Sequence, residues 1–199
     1  MSLLEAAAEI VALLESQDVP YVIVGGLAVQ HWGEPRTTRD VDVTILVTPE
    51  RFEVIANEIL QRFRPRMSDA LSFAQRHRIL LVSSSKGFPI DISLGIPGYE
   101  EEVMRRAVRV SFKGMPEMRL ISAEDLIIHK CVAGRARDRE DLERILIRQQ
   151  LVVDVDYIRR WLQEFVPLID SHNVQSIFKE AWQNAQRALA KETDSSIYD

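Results

Sequence analysis

The sequence predicts an α+β fold: a mixed β-sheet with flanking helices, followed by a C-terminal helical bundle. Three observations carry this. Short β-branched runs bounded by glycine, proline and serine recur through the first 120 residues. Helical stripes alternate with them, at 3–16 and again in FEVIANEILQRF. From Ser122 onward the periodicity is helical throughout, which predicts one domain over residues 1–120 and a helical region over 121–199 packed on it.

The elements follow in order. Leu3, Ala7, Ile10, Val11 and Leu14 form one stripe of a first helix over 3–16, and Asp18 and Pro20 punctuate its end. Tyr21–Val24 is a short strand that stops at Gly25-Gly26. Leu27–Trp32 starts a helix, which Gly33-Glu34-Pro35 breaks. Val41–Val47 alternates, with Val41, Val43, Ile45 and Val47 on one face and Asp40, Asp42 and Thr44 on the other. Pro49 then opens a helix. Strands follow at Ile79–Ser83 and Pro89–Leu94, with weaker signals at Val108–Phe112 and Met118–Leu120. Ser122 and Asp125 resemble a capping box for AEDLIIHKCVAG, which closes at Gly134. Further helices are expected over Asp138–Gln150, 155–169 and 172–190, and the terminal ETDSSIYD is expected to fray.

Composition sets outer limits. The 199 residues suffice for one sizeable domain with a helical appendage, and 46% hydrophobic with 28% charged residues is ordinary for a globular chain. A net charge of -5 argues against a general nucleic-acid binder but leaves room for a local basic cleft. Cys131 is the only cysteine, so no intrachain disulfide can form. The N-terminal MSLLEAAAEIVALLESQ lacks a basic n-region and is interrupted by Glu5, Glu9 and Glu15, so an amphipathic helix is expected rather than a signal peptide. No apolar run approaches the roughly 18 residues of a membrane span, and a cytoplasmic protein with no membrane partner is expected.

Asp40 and Asp42 are two apart on a strand, so their carboxylates share the face opposite a valine row. Two such anions repel, and burying them unpaired is costly. They face water, or a cation sits between them. Asp91, flanked by Ile90 and Ile92 in PIDISL, repeats the pattern. If its strand lies beside 41–47, three acids converge on one patch, an arrangement suited to Mg2+ (or Mn2+) and phosphoryl transfer. Gly25-Gly26 at a strand end before a helix lets backbone N–H groups approach a phosphate, an approach that a side chain would block.

The pattern Gly25-Gly26, thirteen residues, then Asp40-Val41-Asp42, within RTTRDVDV and with a later strand aspartate, resembles the nucleotidyltransferase superfamily of DNA polymerase β-like fold. The small bacterial group of AbiEii-type toxins, related antitoxins and some aminoglycoside nucleotidyltransferases is the most similar. The resemblance spans about residues 5–145 and is most specific at 22–47. It implies a nucleotidyltransferase-type sheet, an NTP substrate and metal-dependent transfer of NMP to an acceptor hydroxyl with release of pyrophosphate. By match, Asp40, Asp42 and Asp91 are the catalytic and metal-binding acids, with Asp91 also able to activate the acceptor. Gly25 and Gly26 lie at the triphosphate. Lys130, Arg135, Asp138 and Asp141 resemble a downstream motif, in which Arg137 replaces the usual lysine, and Lys130 is a candidate phosphate contact.

Arg36 and Arg39 flank the acids and either steer the triphosphate or pair with Asp40 and Asp42; Thr38 supports the loop between them. Arg36 and Thr38 join the nucleotide-binding candidates. His31 and His129 read as structural, since nothing at metal-ligand spacing accompanies them. Lys130 is divided between a phosphate contact and a solvated helix face. The clusters RFRPR, RHR, MRRAVR and RARDR are solvated faces or the lining of an acceptor cleft. Trp161, Phe165, Phe178 and Trp182 read as bundle core, or else as a groove for a partner protein or a second copy. The alternative function is accordingly a binding module, such as the antitoxin-like member of a toxin–antitoxin pair. The acceptor stays open among a small antibiotic, tRNA and a protein hydroxyl.

Overall fold

The computed structural model describes residues 2–195, with side chains described through residue 191. The terminal ETDSSIYD, expected to fray, lies beyond those side chains, and its last four residues lie outside the described residues. Internal contacts divide the chain into two compact units, one of residues 1–27 and 37–122 and the other of 28–36 and 123–199. The α+β architecture is the one the sequence predicts, with a seven-stranded mixed sheet in the first unit and helices in the second.

In the first unit, α1 (Leu3–Ser16) starts at a capping box in which Ser2 and Glu5 satisfy each other's backbone N–H groups. β1 (Tyr21–Val24) leads straight into α2 (Gly25–Trp32), which begins at the glycines rather than after them. β2 (Val41–Ile45) is two residues shorter than the alternation suggests. Its partner β1 is preceded by Pro20, which has no N–H to extend the ladder; the pairing closes with Leu46 N–H donating to Pro20 O at 3.0 Å. Thr48 caps α3 (Pro49–Arg62) by accepting from Arg51 N–H at 3.3 Å.

Three elements carry too little periodicity to be read from sequence. β3 is Arg64–Pro65, two residues long. α4 (Ala70–His77) and α5 (Tyr99–Arg106) are two-turn helices that bury only two and three residues. The remaining strands are β4 (Ile79–Ser83), β5 (Pro89–Leu94), β6 (Val108–Ser111) and β7 (Glu117–Leu120).

The strand order is β3-β4-β5-β2-β1-β7-β6. β2 runs antiparallel to β1 and parallel to β5, and β4 is antiparallel to both β5 and β3. Val41, Val43, Ile45, Ile90, Ile92, Leu80 and Val82 are buried, and they share one core cluster with Ile10 and Leu14 of α1 and Phe52, Ile55 and Ile59 of α3. Each such side chain contributes about 1.5–3 kcal/mol relative to exposure. Because strand side chains alternate, anchoring this face fixes the direction of Asp42 and Asp91.

The second unit contains α6 (Ala123–Ala133), α7 (Ala136–Arg148), α8 (Val155–Phe165) and α9 (Val174–Ser195). Leu142, Ile145, Leu146, Ile158, Leu162, Ile177, Phe178 and Ala185 are buried along the expected stripes. Tyr157 donates its hydroxyl to the buried Asp125 at 2.6 Å, joining α8 to α6. Among the described residues no helix is long and apolar enough to cross a membrane.

His129 of α6 is held neutral. Burial pushes its pKa down to about 4; the negative charge of Asp125 resists this, and Lys130 adds to it. An unfolded chain would take up a proton near the ordinary histidine value, so it binds more protons than the folded one as pH falls from about 6.5 to 4. Stability is therefore expected to fall across that window, by an amount on the order of 2 kcal/mol. Urea unfolding at pH 7 and pH 5, compared with His129→Gln, checks this; the variant should lose much of the pH dependence.

Candidate active site

Asp42 and Asp91 are direct partners in the parallel β2–β5 ladder. Strands lie about 4.8 Å apart, so their carboxylates stand side by side on the sheet face opposite the core. Asp40, two residues before Asp42, returns to the same side. Ligand oxygens from Asp40, Asp42 and Asp91 all lie within 4.8 Å of one another, and all three residues are half-buried. On the other flank Val24, the last residue of β1, pairs with Asp42, which sets Gly25 against the acids.

The close approach explains the two glycines. Gly25 has φ +60°, and a Cβ there would sit 1.9 Å from Asp42 Oδ2. A Cβ on Gly26 would sit 2.1 Å from Thr38 Oγ1. Clearance for a phosphate is thus not the first requirement on these positions, since Asp42 and Thr38 already fill the space. Thr38 in turn donates its hydroxyl to Asp40 Oδ1 at 3.1 Å. Gly25→Ala is expected to displace the Asp42 carboxylate and force a strained backbone, at a cost of about 1–3 kcal/mol. Thermal melting and nucleotidyl transfer should both decline, which a paired melting and activity assay would register.

Arg66, just beyond β3, reaches Asp91 with Nη2–Oδ1 at 2.6 Å. In the sequence Arg66 stands out only as part of the basic cluster RFRPR. Its role depends on β3 docking against β4, with Arg66 N–H donating to Leu81 O at 3.1 Å, and so short a strand leaves no trace in the hydrophobic pattern. Burial raises the pKa of Asp91 above the ordinary aspartate range; Arg66 opposes this and the nearby Asp40 reinforces it.

Arg36 and Lys130 belong to the second unit, and both bind carboxylates of α7. The Arg36 guanidinium takes Asp141 through two bonds, at 2.6 and 2.8 Å. Lys130 Nζ donates to Asp138 Oδ1 and Asp141 Oδ2, each at 2.8 Å. Lys130 is only 7% exposed, which rules out the solvated-face reading. Burial opposes ionisation of both acids, yet Arg135 and Lys130 at Asp138, and Arg36 and Lys130 at Asp141, outweigh it and hold both below the usual aspartate range. Arg39 is exposed and makes no ion pair among the described residues.

Oxygens within 4.8 Å can meet around one hard cation, whose opposite ligands stand about 4.2 Å apart at roughly 2.1 Å each. An all-carboxylate donor set of this kind suits Mg2+ or Mn2+ better than softer metals. The three acids can therefore hold a metal ion.

The mixed sheet with this topology is that of the nucleotidyltransferase fold. The chain belongs to the family described as nucleotidyltransferase of unknown function (DUF6036), which matches residues 1–189. It is thus an enzyme of nucleotidyl transfer. No curated protein matches it. Among solved structures it is similar to an antigenic nucleotidyltransferase-like protein from Paracoccidioides brasiliensis, at 18% identity and TM-score 0.51, covering 89% of this chain and 92% of that one. It is also similar to the nucleotidyltransferase toxin MenT4 from Mycobacterium tuberculosis H37Rv, at 14% identity and TM-score 0.49, covering 92% and 82%. A putative nucleotidyltransferase from Thermotoga maritima gives 17% and 0.46, covering 79% and 91%. At such identities the first of these likenesses speaks for the fold alone.

Proposed function

We propose that the protein transfers a nucleoside monophosphate from an NTP to an acceptor hydroxyl, using Asp40, Asp42 and Asp91 with Mg2+ or Mn2+. The observation that carries this is the register of Asp42 on Asp91, which gathers three carboxylates beside Gly25. When bound by these acids, the metal would polarise the α-phosphate and offset the charge that develops on pyrophosphate.

The chain's own groups supply the rest. The start of α2 at Gly25 and Gly26 is a helix N-terminus, whose backbone N–H groups and dipole favour a phosphate. Arg39, next to Asp40 in the chain, exposed and without an ion pair among the described residues, is a cation that can steer the triphosphate. Asp91, with its raised pKa, takes the proton of the acceptor hydroxyl. The acceptor oxygen bonds to the α-phosphorus as the bond from that phosphorus to the bridging oxygen breaks, and pyrophosphate leaves with the electron pair. Arg36 and Lys130 are assigned to holding α7 rather than to touching phosphate, because both already serve Asp141. Incubation with NTPs labelled at the α-phosphate, Mg2+ and a panel of acceptors tests the reading. Label should reach an acceptor with wild type and not with Asp40→Asn; equal transfer by both would overturn it.

A second reading, a partner-binding module of toxin–antitoxin type, is favoured by an open groove of about 640 Å3 lined in part by Phe178, Trp182, Arg160 and Lys179. It predicts a complex that survives Asp40→Asn and is lost in Trp182→Asp, readable by co-purification.

A further inference from the structure

The four basic clusters of the sequence do not have the same fate. Arg105 and Arg109 pair with Glu102 and Glu117, and Arg135 and Arg139 with Asp138 and Glu180. Arg78 caps carbonyls of Leu94 and Gly95. In RFRPR alone two arginines, Arg62 and Arg64, are exposed and make no ion pair among the described residues. Together with Arg66 they line a cavity of about 500 Å3 whose other walls include Ser83, Ser84, Ser85 and Gly87.

Strand register ties this cavity to the acids. Arg64 pairs with Ser83, and Ser83 with Pro89; one row along, Leu81 pairs with Asp91, which pairs with Asp42. Residues paired across strands share a face, so Arg64 and Ser83 lie on the same side of the sheet as the three carboxylates. The Arg64 strand is two strands from that of Asp91, about 10 Å away. Arg66 bridges the gap by reaching Asp91 itself. The turn at the far wall is fixed by Glu9, whose carboxylate accepts from Ser85 N–H and Oγ at 3.2 Å. That acid is the opposing charge at the rim, and the turn's amides of Gly87 and Phe88 are taken by Ser84. The guanidiniums and the Ser83 hydroxyl are donors in the lining that a ligand can use.

We propose that this cavity receives the phosphate backbone of a single-stranded nucleic-acid acceptor and presents its terminal hydroxyl to Asp91. The assignment rests on the nucleotidyl-transfer reading above and names the acceptor class for that site. Arg64 and Arg66, two residues apart on an extended segment, are spaced about 6–7 Å along it, and Arg66 holds Asp91 through Nη2 while its other guanidinium N–H groups can serve a phosphate. The spacing matches successive phosphates of an extended strand, and guanidinium forks bind phosphate through paired hydrogen bonds. A polycationic antibiotic would meet the like charges of Arg62 and Arg64 here. On a chain of net charge -5, a patch of this kind is a local exception and not a consequence of composition.

Binding can be measured apart from chemistry. A short fluorescein-labelled single-stranded RNA is titrated with the full-length protein in EDTA, and anisotropy is followed at several salt concentrations. Wild type should bind, with affinity falling as salt rises by about 0.7 in log–log slope for each phosphate contact. Arg62→Glu with Arg64→Glu should weaken binding at least about tenfold and flatten the salt slope, with an unchanged melting temperature. Arg109→Glu, the same charge change at a paired arginine, should bind as wild type does. RNA binding that is absent in wild type, or unchanged in the double variant, overturns the proposal. So does competition by mononucleotides or inorganic phosphate as strong as that by unlabelled RNA, which would reduce the site to a single-phosphate pocket. If RNA binds as described but no NTP is transferred to it, the acceptor site stands and the catalytic reading fails.

Discussion

Asp42→Asn is expected to abolish nucleotidyl transfer, by at least ~10²–10³-fold, while leaving the protein as stable as before or more so. The sign of the second effect is what separates a functional acid from a structural one. Asp42 stands beside Asp91 in register and within 4.8 Å of both other acids, so removing its charge relieves like-charge repulsion in the metal-free protein. Asparagine keeps the shape that fits against Gly25. Melting without metal should therefore show no loss. Added Mg2+ should raise the melting temperature of wild type and leave the variant unmoved, since only binding to the folded state stabilises. A variant that melts much lower and regains activity on cooling would assign Asp42 to packing instead.

The largest stability effect is expected at Lys130. Its ammonium joins Asp138 and Asp141 with a side chain only 8% exposed. Lys130→Met leaves two buried carboxylates that share Arg36 and Arg135 but lose the cation between them, a change worth about 3–5 kcal/mol. The lost stability should appear as a lower urea midpoint with an unchanged slope. Replacing Asp138 by Asn in the same chain should recover part of it. The pH dependence has a definite sign. Asp138 and Asp141 are depressed in the folded state, so their contribution is present above the ordinary aspartate value and lost as pH falls through the folded one. Acid unfolding of wild type should thus be steep below about pH 4, and shallower in Lys130→Met.

How much of this was legible in the residues differs from element to element. The alternation of Val41, Val43 and Ile45 against Asp42 is a local pattern, and the structure keeps it because one face must be buried. Bringing Asp91 beside Asp42 is a matter of which strands pair and in what register; the sequence could state it only as a condition, and the β2–β5 ladder meets it. Gly25 and Gly26 were legible as special, but their immediate reason, the contacts of Asp42 and Thr38, lies in side chains 17 and 12 positions downstream. Arg66 was hidden because β3 is two residues long and has no period to detect. Lys130 was divided between a phosphate contact and a solvated helix face, because its partners belong to the next helix and α6 buries residues on most of its circumference. Non-local pairing, not local propensity, decided each of these.

The central claim is that Asp40, Asp42 and Asp91 form one metal-dependent nucleotide site. Calorimetric titration of a nonhydrolysable NTP into wild type and Asp42→Asn, with and without Mg2+, tests it most directly. Binding to wild type should need Mg2+, with at least a tenfold loss in the variant. NTP binding of equal strength in both proteins, indifferent to Mg2+, would contradict it.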